Sequence, residues 1–290
     1  MTATATRRLF SNPAKLQGAL NEHKKEPLVY IQMCKCHCKQ LYKQKYITTQ
    51  QIMEYRNNDP GAVQYGNFIN YYDFNNAGQR LKLLPRDVWI DTENPHSGEP
   101  YLVLDIGCNA GNLTQLLFTF LNECVGATHG RNIQILGVDI DSDLVKRAKT
   151  GNEFPSNVSY EHLDVMDSNE SYQIKEYLHK WNRKTFDVVC SFSVTMWIHL
   201  NHGDDGLKLF LEKLCDLAEL LVVEPQPWKC YQTALRRMKR AGDEFPLYKA
   251  LQWRTNVEEC IQVFLESSLG RKKVFECLPT RWQRRICFYR

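Results

Sequence analysis

From Tyr101 onward, short apolar runs alternate with stretches of helical period. Tyr101–Ile106, Ile133–Asp139, Val158–Leu163, Phe186–Ser191 and Leu220–Glu224 are brief and largely apolar, as strands covered on both faces are. Leu113–Glu123, Asp143–Thr150, Ser171–Lys180 and Gly206–Leu217 lie between them and read as helices. This alternation predicts an α/β fold with a doubly wound, mostly parallel sheet. A basic helix from Tyr231 to about Ala241 and another over Thr255–Leu265 follow. Val274–Leu278 and Arg285–Tyr289, separated by a short turn, read as a C-terminal antiparallel hairpin.

The first 60 or so residues lack this alternation, and Asn57-Asn-Asp-Pro-Gly marks a break. The expected organisation is a basic, partly flexible N-terminal extension over 1–62 and one catalytic domain over 63–290. Cys34-Lys-Cys-His-Cys38 has no second cysteine pair at four-ligand spacing, so no metal is expected there. With 290 residues, 43% apolar, the chain has the size for one large core. No apolar run approaches the roughly 18 residues that span a bilayer, and no signal-type apolar segment opens the chain. The expectation is a soluble intracellular protein, cytoplasmic with the nucleus left open, and no membrane partner. Its eleven scattered cysteines are expected to be reduced.

Net charge is only +4, but it is unevenly placed. Residues 1–62 carry ten basic and four acidic side chains, Lys229–Arg240 five basic and none acidic, and the last twenty residues seven basic against Glu276. The rest is therefore acidic. Basic segments around an acidic body suit a polyanion bound beside a pocket for a cationic cofactor. Charge runs alone equally describe solvated helix faces.

The run Leu102-Val-Leu-Asp-Ile-Gly-Cys-Asn-Ala-Gly111 is a strand ending in a glycine turn that opens a helix. Gly107 and Gly111 are expected to let a ligand approach the backbone, and Asp105 to accept from a cationic or hydroxylated group. Asp139 ends the next strand, where a carboxylate can grip a ribose diol, and Asp164 ends the third. In a parallel sheet the three carboxylates are expected to face one crevice. A pyrophosphate is disfavoured, because Asn109 stands at the centre of the loop and acids flank it. A zwitterionic sulfonium nucleoside fits better. Asp105-x-Gly-x-Asn-x-Gly111 resembles the S-adenosylmethionine loop of class I methyltransferases, a Rossmann-like fold.

Three further segments are more particular: Tyr65-Gly-Asn-Phe-Ile-Asn-Tyr-Tyr72 with Arg80 downstream, Val194-Thr-Met-Trp-Ile-His-Leu-Asn-His-Gly-Asp204, and Glu224-Pro-Gln-Pro-Trp-Lys-Cys-Tyr231. The last two follow strands four and five, so they are expected as loops over the carboxyl edge of the sheet. Pro225 and Pro227 stiffen the second, which presents Gln226 and Trp228. Together the segments resemble the Bicoid-interacting family of RNA methyltransferases over about Tyr65 to Arg290. That resemblance implies S-adenosylmethionine as cofactor and an RNA with a 5′-terminal phosphate as partner. It also implies cofactor contacts from Arg80, Asn109, Asp139, Asp164, Val165 and Phe192. Within the family one type modifies the γ-phosphate of a triphosphate end, and another methylates 5′-monophosphates, histidine tRNA and microRNA precursors among them. The present motifs look more like the second.

Candidates for the phosphate end are Tyr65, Asn67, Trp197, His199, Gln226, Trp228 and Lys229, with Arg236, Arg237 and Arg240 on the RNA backbone. Trp197 and Trp228 equally suit core aromatics, and His199 a satisfied structural histidine. A terminal phosphate with a second pKa near ~6 is mostly dianionic at neutral pH and needs no base. Alignment is the main requirement, and neutral donors such as Tyr65, Asn67 and His199 desolvate the dianion without quenching it. The alternatives are γ-phosphate methyl-capping of small nuclear RNA, a small-molecule or protein methyltransferase, and a non-catalytic RNA-binding scaffold.

Overall fold

The computed structural model describes residues 62–91, 100–167 and 171–290. The basic extension up to residue 61, with Cys34, Cys36 and Cys38, lies outside the described residues. Three short helices, α1 (Ala62–Tyr65), α2 (Tyr71–Phe74) and α3 (Ala77–Leu81), precede the sheet. Then β1 (Tyr101–Ile106), α4 (Asn112–Leu121, prolonged by a π-helical turn), α5 (Ala127–His129), β2 (Ile133–Asp139), α6 (Ser142–Thr150) and β3 (Val158–His162) follow. The second half holds α7 (Ser171–Lys180), β4 (Phe186–Phe192), α8 (Thr195–Leu217), β5 (Ala218–Glu224), α9 (Trp228–Arg240), α10 (Val257–Val263), β6 (Lys273–Glu276) and β7 (Cys287–Tyr289).

The strands form one seven-stranded sheet in the order β3-β2-β1-β4-β5-β7-β6. β1 to β5 are parallel neighbours, and β7 runs antiparallel between β5 and β6. Every residue of β1, β2 and β4 is buried, which explains why these strands read as unbroken apolar runs. Alternation sorts them by face. Leu102, Leu104 and Ile106 pack with Leu200, Phe210 and Leu214 of α8, whereas Tyr101 and Val103 pack with Leu113, Leu117 and Leu121 of α4. At the amino edge, buried Asp187 accepts from the Leu102 amide at 2.8 Å and pairs with Arg131 at 3.0 Å.

Two expectations change. The segment after β4 is not a loop: helix begins at Thr195 and runs to Leu217, broken only at Gly203, whose φ of 71° and ψ of −172° kink it. Likewise α9 starts at Trp228, directly after Pro227. Both starts follow from tertiary packing, since Met196, Leu200, Tyr231 and Ala234 are buried in the same core cluster. The terminal strands form the expected antiparallel hairpin: the Cys277 amide donates to the Ile286 carbonyl at 2.9 Å and that of Thr280 to the Arg284 carbonyl at 2.7 Å, so the chain reverses in a short turn at Thr280–Arg284, beside which Trp282 reaches Glu224 at the end of β5. Among the described residues no helix is long and apolar enough to cross a membrane.

Candidate active site

A crevice opens at the carboxyl edge of β1, β2 and β3, where a doubly wound sheet places its ligand. Asp139, Asp164 and Val165 line it, with Gly107 beneath and Tyr65, Trp197 and Asn201 around it. Asp139 accepts the Asn109 amide hydrogen at 2.8 Å and that of Asp141 at 3.0 Å. Burial nevertheless pushes its pKa up to about 6. Asp164 accepts from the Met166 amide at 2.8 Å, which fixes the turn after β3.

Asp105 does not line the crevice. It is 2% exposed and accepts from Thr114 Oγ1 of α4 at 2.7 Å, and burial raises its pKa to about 6. Only two of the three expected carboxylates therefore face the ligand space. Of the two glycines, Gly107 lines the crevice as expected and Gly111 does not. Gly107 and Gly111 have φ of 76° and 80°, which favours glycine, but protein fills the space where their Cβ would stand. At Gly107 that space belongs to Val194 Cγ2, 2.5 Å away, and at Gly111 to the Tyr160 hydroxyl, also at 2.5 Å. Gly111 thus admits a tyrosine from β3 and not a ligand.

Residues 65–68 cover the crevice. Gly66, with φ of 75°, lies so close to the Trp197 indole that a Cβ would come within 1.9 Å of it. Phe68 meets the same indole edge-on at 6.1 Å. Asn67 donates through Nδ2 to Asp141, and Asn109 donates through Nδ2 to the Phe68 carbonyl at 3.1 Å. Asp141 and Asn109 both donate their amides to Asp139, so the covering segment and the strand-end acid belong to one hydrogen-bonded ring. Asn67 Oδ1 is buried without a partner. Its orphaned atom is an acceptor, which suits a hydroxyl or amine and not a phosphate.

Arg80 is fully buried and forked onto Glu224, with Nη2–Oε2 at 2.7 Å and Nε at 3.2 and 3.1 Å from the two oxygens. Its Nη2 also donates to Tyr71 at 2.8 Å and Ser193 at 2.9 Å, and its guanidinium lies 5.9 Å from the Phe192 ring. Burial works against the charge, but Glu224 and Tyr71 outweigh it and raise the pKa. Nη1 has no partner. A buried guanidinium nitrogen left open is costly unless an anion completes it, which fits the carboxylate of S-adenosylmethionine. The acids lining the crevice fit its ribose.

Several candidates lie elsewhere. His199 is fully buried, with Nδ1 3.0 Å from the Tyr231 hydroxyl and Nε2 3.4 Å from Asp204 Oδ1. Burial holds its pKa below the ordinary histidine value against the opposing pull of Asp204. It braces α8 against α9 and does not reach the crevice. Gln226, 1% exposed, accepts from Thr195 Oγ1 and the Met196 amide at 3.0 Å each and donates to the Ser193 carbonyl. It caps the start of α8 and does not line the crevice. Trp228 stacks on Tyr231 and Tyr248 at 4.9 and 5.5 Å with Arg254 against it, so its partners are protein. Lys229 and Arg240 are exposed on α9. Arg236 bonds back to Gln232 and Thr233, whereas Arg237 reaches the Phe68 ring at 5.0 Å and so stands beside the covering segment. The sequence reading missed Tyr71, although it lies within the quoted Tyr65–Tyr72 run, and Ser193 and Asp141, which lie just outside the quoted segments. Among the described residues no group of His, Cys, Asp or Glu is arranged to hold a metal ion.

The strand order with an antiparallel β7 between β5 and β6, and the acids at the ends of neighbouring strands, define a class I methyltransferase fold. The family model described as Bicoid-interacting protein 3 (Bin3) matches residues 186–290. The pre-miRNA 5′-monophosphate methyltransferase of Xenopus laevis is 40% identical over 239 residues, covering 80% of this chain and 94% of that protein. The RNA 5′-monophosphate methyltransferase of Homo sapiens is 38% identical over 239 residues, covering 80% of this chain and 82% of that protein. The chain belongs to the Bicoid-interacting family. Among solved structures it is also similar to the N-methyltransferase NodS of Bradyrhizobium japonicum, with TM-score 0.44 and 16% identity over 82% of this chain and 95% of that one.

Proposed function

We propose that this chain transfers a methyl group from S-adenosylmethionine to the 5′-terminal monophosphate of an RNA. What supports this reading is an acid-lined crevice whose wall residue Val194 follows Ser193, the residue that ties the crevice to Arg80 and its open Nη1, in a chain whose relatives bear the name RNA 5′-monophosphate methyltransferase. When bound, S-adenosylmethionine supplies an electrophilic methyl on a sulfonium. Asp139 and Asp164 hold its nucleoside and Arg80 its carboxylate. Tyr65, 37% exposed on the crevice wall, is the neutral donor left for the phosphate, because Asn67 and His199 are engaged within the protein. Arg237 beside Phe68 adds a cation at the mouth. The dianion is already a nucleophile, so alignment and exclusion of water by residues 65–68 supply the rate.

The test is methyl transfer to one RNA carrying a 5′-hydroxyl, a monophosphate or a triphosphate. A monophosphate places the first nucleoside at the mouth, where stacking on an aromatic is worth roughly 1 to 3 kcal/mol, enough for a tenfold to hundredfold preference. The expected result is fastest transfer to the monophosphate and none to the hydroxyl. Faster transfer to the triphosphate would assign the capping reaction instead, and RNA binding without any transfer would make the chain a scaffold.

A further inference from the structure

The network around Arg80 holds a second, partly buried cation. Arg284, from the connection before β7, donates through Nη1 to Ser193 Oγ at 2.6 Å and to the Tyr71 hydroxyl at 3.2 Å, and through Nη2 to Cys230 Sγ at 3.6 Å. The same two hydroxyls accept from Arg80 Nη2. The Ser193 hydroxyl donates a hydrogen bond to Glu224, which also accepts from Trp282 Nε1 at 3.2 Å. Two guanidiniums thus share one carboxylate, and Glu224 reaches Arg284 only through the serine. The other carboxylates that feel these charges are Asp105, engaged with Thr114, and half-buried Glu258, and neither hydrogen-bonds to Arg80 or Arg284.

Two observations mark this as a ligand site and not a closed structural cluster. Arg80 Nη1 and Arg284 Nε are both buried and unpartnered, whereas a finished ion network satisfies its donors. Ser193 is also held at φ of 64°, an uncommon conformation for a residue other than glycine, in the position that lets its hydroxyl join both arginines. Its neighbour Val194 lines the crevice.

We propose that Arg284 is a positioning residue for the carboxylate at the amino-acid end of the cofactor, in a network whose charge is balanced only when that anion is present. This rests on the S-adenosylmethionine reading above. Arg284 acts through Tyr71 and Ser193, which it shares with Arg80, and sets how tightly the amino-acid end is held without touching the nucleoside end.

The test is calorimetric binding of S-adenosylhomocysteine, which keeps the carboxylate, and of 5′-methylthioadenosine, which keeps the nucleoside and lacks it. Arg284→Met should weaken the first about tenfold or more and leave the second unchanged. Arg284→Lys, which restores charge without the fork, should recover part of the loss. Tyr71→Phe, which removes the shared hydroxyl and keeps the ring, should act in the same direction, and it decides the question if Arg284→Met does not fold. Equal weakening of both ligands, or of neither, overturns the proposal. So does a loss confined to 5′-monophosphate RNA, which would make the substrate phosphate the anion. If the unaltered protein binds neither nucleoside, the cofactor reading itself fails, which is a separate outcome.

Discussion

Replacing Asp139 by asparagine separates its charge from its shape. The carboxylate is 7% exposed, takes two backbone amide hydrogens, and is nevertheless pushed by burial to a pKa of about 6. Asparagine keeps the volume and one acceptor but turns a carboxamide NH2, a donor, toward one of those backbone amides. A hydrogen bond to a charged group is worth about 1.5 to 3 kcal/mol, so affinity for S-adenosylhomocysteine should fall about tenfold to a hundredfold. The pH dependence gives an independent readout. If Asp139 holds the ribose as proposed, it does so in the ionised form, of which only about a tenth remains one unit below the pKa, so binding to the unaltered protein should weaken about tenfold between about pH 7 and pH 5. Asp139→Asn should remove that slope. Asp105→Asn should keep it, because Asp105 does not line the crevice although its pKa is also raised to about 6. Calorimetry across this range checks both arms, with a urea unfolding curve for each variant as the control on folding. A variant that binds as tightly as the parent at neutral pH, or that keeps the acid slope, would refute the assignment.

Two other substitutions test the remaining geometry. His199→Gln should lower stability at neutral pH by about 1 to 3 kcal/mol, because Tyr231 and Asp204 lose their buried partner. Its folded pKa is depressed, so its contribution is present above the unfolded value of about 6.5 and is lost as pH falls. The variant should therefore show a shallower acid loss in urea unfolding, and an unchanged slope would place the titration elsewhere. Arg237→Ala should raise the KM for RNA and reduce the log–log salt slope by about 1. Arg236→Ala should do less, since its guanidinium is folded back on its own helix, and equal effects would argue for a diffuse basic face.

The sheet was legible because strands buried on both sides show as short apolar runs, and Asp139 and Asp164 were legible because a parallel sheet carries its strand ends to one edge. The helical start at Thr195 was harder. The segment was expected as a loop because it follows a strand end, yet the protein runs helix through it with a kink at Gly203, and Met196, Leu200 and Leu207 already recur at the spacing of a buried helix face. That same spacing turns His199 inward. Gln226 shows the limit of reading a stiff loop: its flanking prolines fix the backbone but do not say which way the side chain points. Arg80 and Glu224 lie 144 positions apart, and Arg284 farther still, so only the sheet order reveals that they meet.

The late arrival of β7 bears on how the protein is made. Until that strand has been synthesised, β5 is an open edge carrying Leu220, Leu221, Val222 and Val223, all buried in the finished fold, and an apolar edge of this kind invites pairing with another chain. Trp282 and Arg284 arrive with the same stretch. A nascent or proteolysed chain that stops short of it keeps the nucleoside half of the crevice but lacks part of the network around Arg80, and it exposes an adhesive strand. Damage near residue 280 should therefore be felt as aggregation during biosynthesis as much as lost chemistry.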